Sequence, residues 1–212
     1  VNHGYRITRV TMPAASQALI DLDQVKAVLN IPPTDVSQDA ILTQHIAAVS
    51  VAIGNWCDRV FPVQSYRDQL RNVCGLYAQP LVVRQYPIVL DGGGLPQVVI
   101  TEDGAALDPS LFEVYPETGQ LFRLDSSSNP ALWTGGQILI DYTSGFPVIP
   151  DPVQNAAIEW VTVRWYMAGN DPTTRSEAIP DVIEQRYSTE LTIGAMPSGP
   201  REMLAPYRIW SV

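Results

Sequence analysis

Lysine is almost missing from this chain of 212 residues: Lys26 stands alone beside twelve arginines, and 22 acidic residues against 13 basic ones leave a net charge of −9. A loose lysine-rich patch for free DNA or RNA is thereby excluded. Cysteine is scarce too. Cys57 and Cys74 form no C-x-x-C pair and have no histidine at ligand spacing, which argues against a zinc site and against a disulfide framework and fits a reduced assembly environment. The first twenty residues contain no apolar run of signal-peptide length, and nowhere do eighteen apolar residues follow one another, so neither export by that route nor a membrane span is expected. Catalytic signatures are absent as well: no Gly-x-Ser-x-Gly, no Cys beside a His, and Gly92-Gly93-Gly94 lacks the Lys or Ser that would follow in a phosphate loop. His3 and His45 have no visible partner, and solvent-facing or hydrogen-bonded roles are preferred for both. Asp21, Asp23, Asp35 and Asp39 flank helix starts, where carboxylates are favoured by capping and by the helix dipole rather than by a cation.

What is present is organised. Residues 88–141 carry one basic and eight acidic side chains (−7), whereas residues 1–87 carry seven and six (+1) and residues 142–212 five and eight (−3). The acidic middle is also the β part. Strands are predicted over 97–101, 111–115, 119–124 and 137–142, separated by Asp103-Gly104, Asp108-Pro109, Glu117-Thr118-Gly119 and the 126–130 loop, with further strands over 65–70 and 81–86. Its acids have two readings: ordinary solvated loop acids, or a surface that repels passing DNA or meets a basic partner.

Helices lie on either side. Asp21 is expected to cap a helix over 22–30 that Pro32-Pro33 stops, and Ser37 to cap a longer one reaching Cys57. In the second, Leu42, Ile46, Val49, Ile53 and Trp56 form a 4-3-4-3 stripe. A third helix is expected from Asp151 as N-cap, with Pro152 at its first position and Val153, Ala156, Ala157, Trp160, Val163 and Met167 on one face. Ile138, Ile140 and Tyr142 alternate into it as a strand, and Gly145-Phe146-Pro147 ends that strand. At the far end Pro206 is expected to stop a short helix and leave Tyr207, Arg208, Ile209 and Trp210 as an extended aromatic end, an interface composition. The competing reading folds this tail back over the helices.

Read together, these residues define an α+β protein: a mainly helical core of two N-terminal helices plus one long helix in the C-terminal half, an antiparallel β insert and extended termini. The divisions are an arm over 1–20, a helical core over 21–62 and 150–169, a β-rich insert over 63–149, a variable loop segment over 170–199 and a C-terminal helix and tail over 200–212.

Several stretches in order carry a resemblance. The 22–29 run Leu-Asp-Gln-Val-Lys-Ala-Val-Leu, then Asp39-Ala-Ile-Leu42, Ala52-Ile-Gly-Asn-Trp56-Cys57, Tyr86-Pro87-Ile88, the 138–166 run from strand through Gly-Phe-Pro to helix, and Met203-Leu-Ala-Pro-Tyr207-Arg208 resemble the head-tail connector (head-completion adaptor) family of long-tailed phages and gene transfer agents. The resemblance covers about residues 20–167 and 200–210, leaving the arm and residues 169–198 unmatched. It implies a non-enzymatic structural adaptor of the virion neck, assembled in the host cytoplasm, that needs no cofactor or metal and contacts no membrane. It further implies a homo-oligomeric ring of twelve copies on the portal protein, a stopper or tail-completion protein beyond it, and DNA passing through without specific binding. Portal contact falls to the tail: Leu204, Pro206, Tyr207, Arg208, Ile209 and Trp210, with Ile209 and Trp210 as apolar anchors and Arg208 facing a portal carboxylate. Two alternatives stay open, another neck protein such as a stopper, and a soluble hydrolase or ligand-binding domain using the β insert.

Overall fold

The computed structural model describes residues 6–71, 80–134, 136–168, 176–179, 183–186 and 196–209. In chain order the elements are β1 (Arg6–Met12), α1 (Leu22–Val28), α2 (Asp39–Cys57), β2 (Gln64–Arg71), β3 (Leu81–Val82), β4 (Val98–Glu102), β5 (Ala105–Ala106), a 3-10 turn (Pro109–Leu111), β6 (Phe112–Tyr115), β7 (Gln120–Arg123), β8 (Gln137–Ser144), α3 (Asp151–Ala168), β9 (Ser176–Ile179), β10 (Ile183–Arg186), α4 (Ser198–Leu204) and a second 3-10 turn (Ala205–Tyr207). The protein is a mixed α+β chain with antiparallel sheets. It divides into two compact units, Val1–Ser16 with Val60–Val148, and Gln17–Arg59 with Ile149–Val212.

In the first unit a five-stranded sheet runs β1-β2-β8-β4-β5 and a three-stranded one β3-β7-β6. β2 and β8 carry the alternation that a half-buried strand requires: Gln64, Tyr66, Asp68 and Leu70 face inward with Ile138, Ile140, Tyr142 and Ser144, while their neighbours face out. Leu81, Val83, Ile88, Ile100, Leu121 and Trp133 close the core over that face. This β region has its own core, and so is more than an insert on a helical one. The N-terminal arm also differs from expectation. It is no extended terminus: β1 pairs antiparallel with β2 from Arg6↔Leu70 to Met12↔Ser65, with a bulge between Val10 and Met12. The strand expected over 81–86 is shorter, Leu81–Val82, with Val83 N donating to Gly119 O just beyond it.

In the second unit α1, α2 and α3 pack together, joined by α4. Buried Leu42, Ile46, Val49 and Ile53 form the stripe of α2, and Val153, Ala156, Ala157, Trp160 and Val161 that of α3. Burying each large apolar side chain contributes about 1.5–3 kcal/mol, enough for a three-helix core. α2 is long and apolar enough to cross a membrane, yet it uses its apolar stripe inside this unit as a core helix does. Two caps refine the expectation. Gln38 rather than Ser37 precedes α2, because the Ser37 N–H and hydroxyl both donate to Asp35 Oδ1, at 2.9 and 2.6 Å. Asp151 lies inside the first turn of α3, whose leading N–H groups at Val153 and Gln154 donate to Pro150 O. At α1 the Asp21 N–H donates to Gln24 Oε1 at 2.8 Å, the reciprocal arm of a capping box. β9 and β10 pair antiparallel in the segment expected to be loop.

Candidate docking surface at the C-terminal tail

Every residue named for docking sits on α4 or just after it, in the helical unit. α4 begins at Ser198 behind Pro197, whose carbonyl accepts from Arg201 N at 3.2 Å. Gly199 leaves room for the Glu159 carboxylate of α3: a Cβ built there would stand 2.5 and 3.1 Å from its two oxygens. That carboxylate lies where the first turn of a helix favours negative charge. As expected from the sequence, the α-helix ends at Leu204, ahead of Pro206. The chain passes into the 3-10 turn with Pro206 in its first positions, where a missing N–H costs nothing.

Tyr207, Arg208 and Ile209 are not a free extended end. Ile209 is 7% exposed, and its N–H donates to Cys57 O at 2.8 Å. Cys57 is the last residue of α2, one of the terminal carbonyls that a helix leaves without an internal partner. The Arg208 guanidinium lies 5.2 Å from the ring centroid of Trp56 in the same last turn. α2 has no basic residue of its own there, so Arg208 brings the positive charge that a helix C-terminus favours. The tail is therefore an external C-cap of α2. The fold-back reading holds for residues 207–209, and the reason is visible in the orphaned end of α2.

The six residues thus separate into groups. Leu204, 0% exposed, and Ile209 are committed to the core of their own unit, which corrects the expectation of Ile209 as a free anchor. Pro206 is exposed, and Tyr207 and Arg208 are half-buried. Trp210 lies outside the described residues, as do His3 and Cys74.

Burial pushes the Cys57 thiol up to about 11, outweighing the pull of Arg59 and Arg208, which disfavours the thiolate. His45 is held below its ordinary value first by desolvation and then by Arg164, and its buried Nε2 has no hydrogen-bond partner among the described residues. Among the described residues no three His, Cys, Asp or Glu side chains gather as a metal site. Of the acids considered for cations, Asp35 accepts from Ser37, and Asp39 pairs with Lys26 at 2.5 Å.

Truncation after Pro206 is expected to destabilise the helical unit. It removes the burial of Ile209, about 1.5–3 kcal/mol, one hydrogen bond, about 1 kcal/mol, and the Arg208–Trp56 contact. A thermal melt that falls by several degrees confirms the capping role; an unchanged melt contradicts it.

No protein-family model matches this chain, and no curated protein does either. Solved structures do. A chain in the neck of the empty GTA particle computed with C6 symmetry superposes with a TM-score of 0.58 at 13% identity, covering 97% of both chains. A chain in the neck of the native GTA particle computed with C12 symmetry gives 0.56 at 14% identity and the same coverage. One in the virion of the native gene transfer agent particle gives 0.55 at 13% identity, again over 97% of both chains. From end to end, this chain has the fold of chains found in gene transfer agent neck structures.

Proposed function

We propose that this chain is a structural adaptor of a virion neck, docking as a ring on the portal and extending the DNA channel towards the tail, without catalysis. The observation that carries the reading is the match over 97% of both chains with chains from neck structures. The C6 and C12 symmetries of those particles support a homo-oligomeric ring, and ring closure needs heterologous contacts between identical copies. DNA passes such a ring without specific binding, in keeping with a net charge of −9. A stopper or tail-completion protein is the partner on the distal side.

The portal contact is assigned to the tail surface, with the roles of its residues revised. Leu204 and Ile209 fix the backbone from within, Pro206 and the open sides of Tyr207 and Arg208 face outward, and Trp210 completes the anchor. Pro206→Glu separates docking from folding. It places a charge on the exposed turn and is expected to leave the melt within about 0.5 kcal/mol of the parent while abolishing co-purification with the portal. Normal capture of the portal by the Pro206→Glu chain rejects this assignment.

A further inference from the structure

The five-stranded sheet is electrically polarised from one edge to the other. At the β1 edge stand Arg6 and Arg9, with Arg67 and Arg71 on the adjoining β2; all four are exposed, and the one acid of these two strands, Asp68, is fully buried. At the opposite edge, Glu102 ends β4, Asp103 makes the turn and Asp108 follows β5, with no basic residue from Val98 through Asp108. Five strands place these edges about 19 Å apart at ~4.8 Å per strand. That exceeds the ~8–10 Å over which exposed charges act in physiological salt, so the two edges do not neutralise each other within one copy.

Local partners account for part of this charge. Arg67 makes a bidentate pair with Asp141, at 2.6 and 2.8 Å, Arg6 donates to Val82 O, and Arg123 lies 3.5 Å from Glu102. Glu102 accepts from Thr134, Asp103 from the Gly136 and Gln137 N–H groups, and Asp108 from Ser110. Those N–H and hydroxyl donors hold the carboxylates of Asp103 and Asp108 without cancelling their charge. Arg9 stands across from Arg67 in the register, a like-charge pair that a sheet tolerates only at some cost.

Among the described residues both edges are also open. β1 is seven residues long and meets β2 on one side only, with Val10 51% and Met12 62% exposed. A long edge strand of this kind is a template for pairing with another chain. β5 at the far edge presents exposed Ala105 and Ala106, small enough for close backbone approach.

We propose that copies of this chain associate head to tail through this sheet, the arginine edge β1 of one copy meeting the acidic β4–β5 edge of the next. The inference rests on the ring reading above and supplies its contact: two different patches on one molecule, complementary in charge, are what a heterologous ring interface requires. Duplex DNA is the competing occupant of the arginine edge.

The test uses the full chain in sedimentation velocity at about 20 mM and about 500 mM salt, with two exposed substitutions, Arg9→Glu and Ala106→Lys. The parent chain is expected to associate with rising concentration at low salt and to dissociate at high salt. Each variant alone is expected to associate about fivefold more weakly. Mixing the two restores association, because the β1 edge made acidic in one variant then meets the β5 edge made basic in the other. Unchanged association in both single variants, no association of the parent at low salt, or retention of duplex DNA by the parent but not by Arg9→Glu each overturns the proposal. The ring reading fails separately, if the chain is missing from particle necks.

Discussion

Lys26→Ala is expected to lower the stability of the helical unit by about 3 kcal/mol, a loss of roughly 10 °C in a chain of this length. The only lysine of the protein is 2% exposed. Its ammonium pairs with Asp39 at 2.5 Å and donates to the carbonyls of Asp35 at 2.9 Å and Pro33 at 3.4 Å. These contacts tie the last turn of α1 to the 30–38 loop and to the first turn of α2. Removing the cation leaves a carboxylate and two backbone carbonyls without that partner, the case in which a buried pair is most costly to break. Asp39 keeps 29% of its side chain in water, so the loss falls at the lower end of the range for buried pairs. Lys26→Met retains the apolar stem and separates packing from charge. If it melts like the parent chain, the ammonium contacts contribute nothing and this reading of the loop is wrong.

Gly145→Ala is expected to cost as much or more, about 3–5 kcal/mol, by combining backbone strain with a steric collision. Gly145 follows β8 at φ +127°, a conformation that L residues rarely adopt. A Cβ there would stand 2.6 Å from Pro62 O and 2.8 Å from both Pro62 C and Val63 Cα. These are backbone atoms, which no change of rotamer can clear. The neighbouring contacts hold the same junction: Gly145 N donates to Pro87 O at 3.0 Å, Phe146 N to Phe61 O at 2.7 Å, and the Phe61 and Phe146 rings stack at 5.9 Å. Gly94→Ala is the control. It also has positive φ, +80°, but nothing lies within 4 Å of its Cβ, so only left-handed strain of about 1–2 kcal/mol is expected. Equal melts for the two variants, measured side by side, would show that the approach of Pro62 is not what fixes glycine at position 145.

How legible the fold was in the sequence followed burial. β2 and β8 are buried on one face and declare themselves by strict alternation; α2 and α3 do so by their three- and four-residue steps. β1 escaped because an edge strand with most residues exposed needs no apolar alternation, and its Ile7 and Val10 point to opposite faces. β5, two residues long, leaves no periodic signal at all. Ser37 looked like a cap on residue type alone, but Asp35 two positions earlier captures it. The tail was the larger ambiguity. Its aromatic composition fits both an interface and a fold-back, and the deciding contact joins Ile209 to Cys57 across the length of the chain. One signal was present: a 19-residue helix without a basic residue in its last turn calls for a cation from elsewhere. The polarity of the sheet was legible only as an acidic segment over 88–141, since strand order decides which charges share an edge.

The central claim, that this chain is a ring component of a virion neck, is tested most directly by electron cryomicroscopy of particles purified from cells that produce it. The account expects a neck reconstruction with density for this fold, both units included, repeated as a closed ring between portal and tail. A well-resolved neck in which every ring is filled by other folds, with this chain recovered only outside the particles, would contradict it.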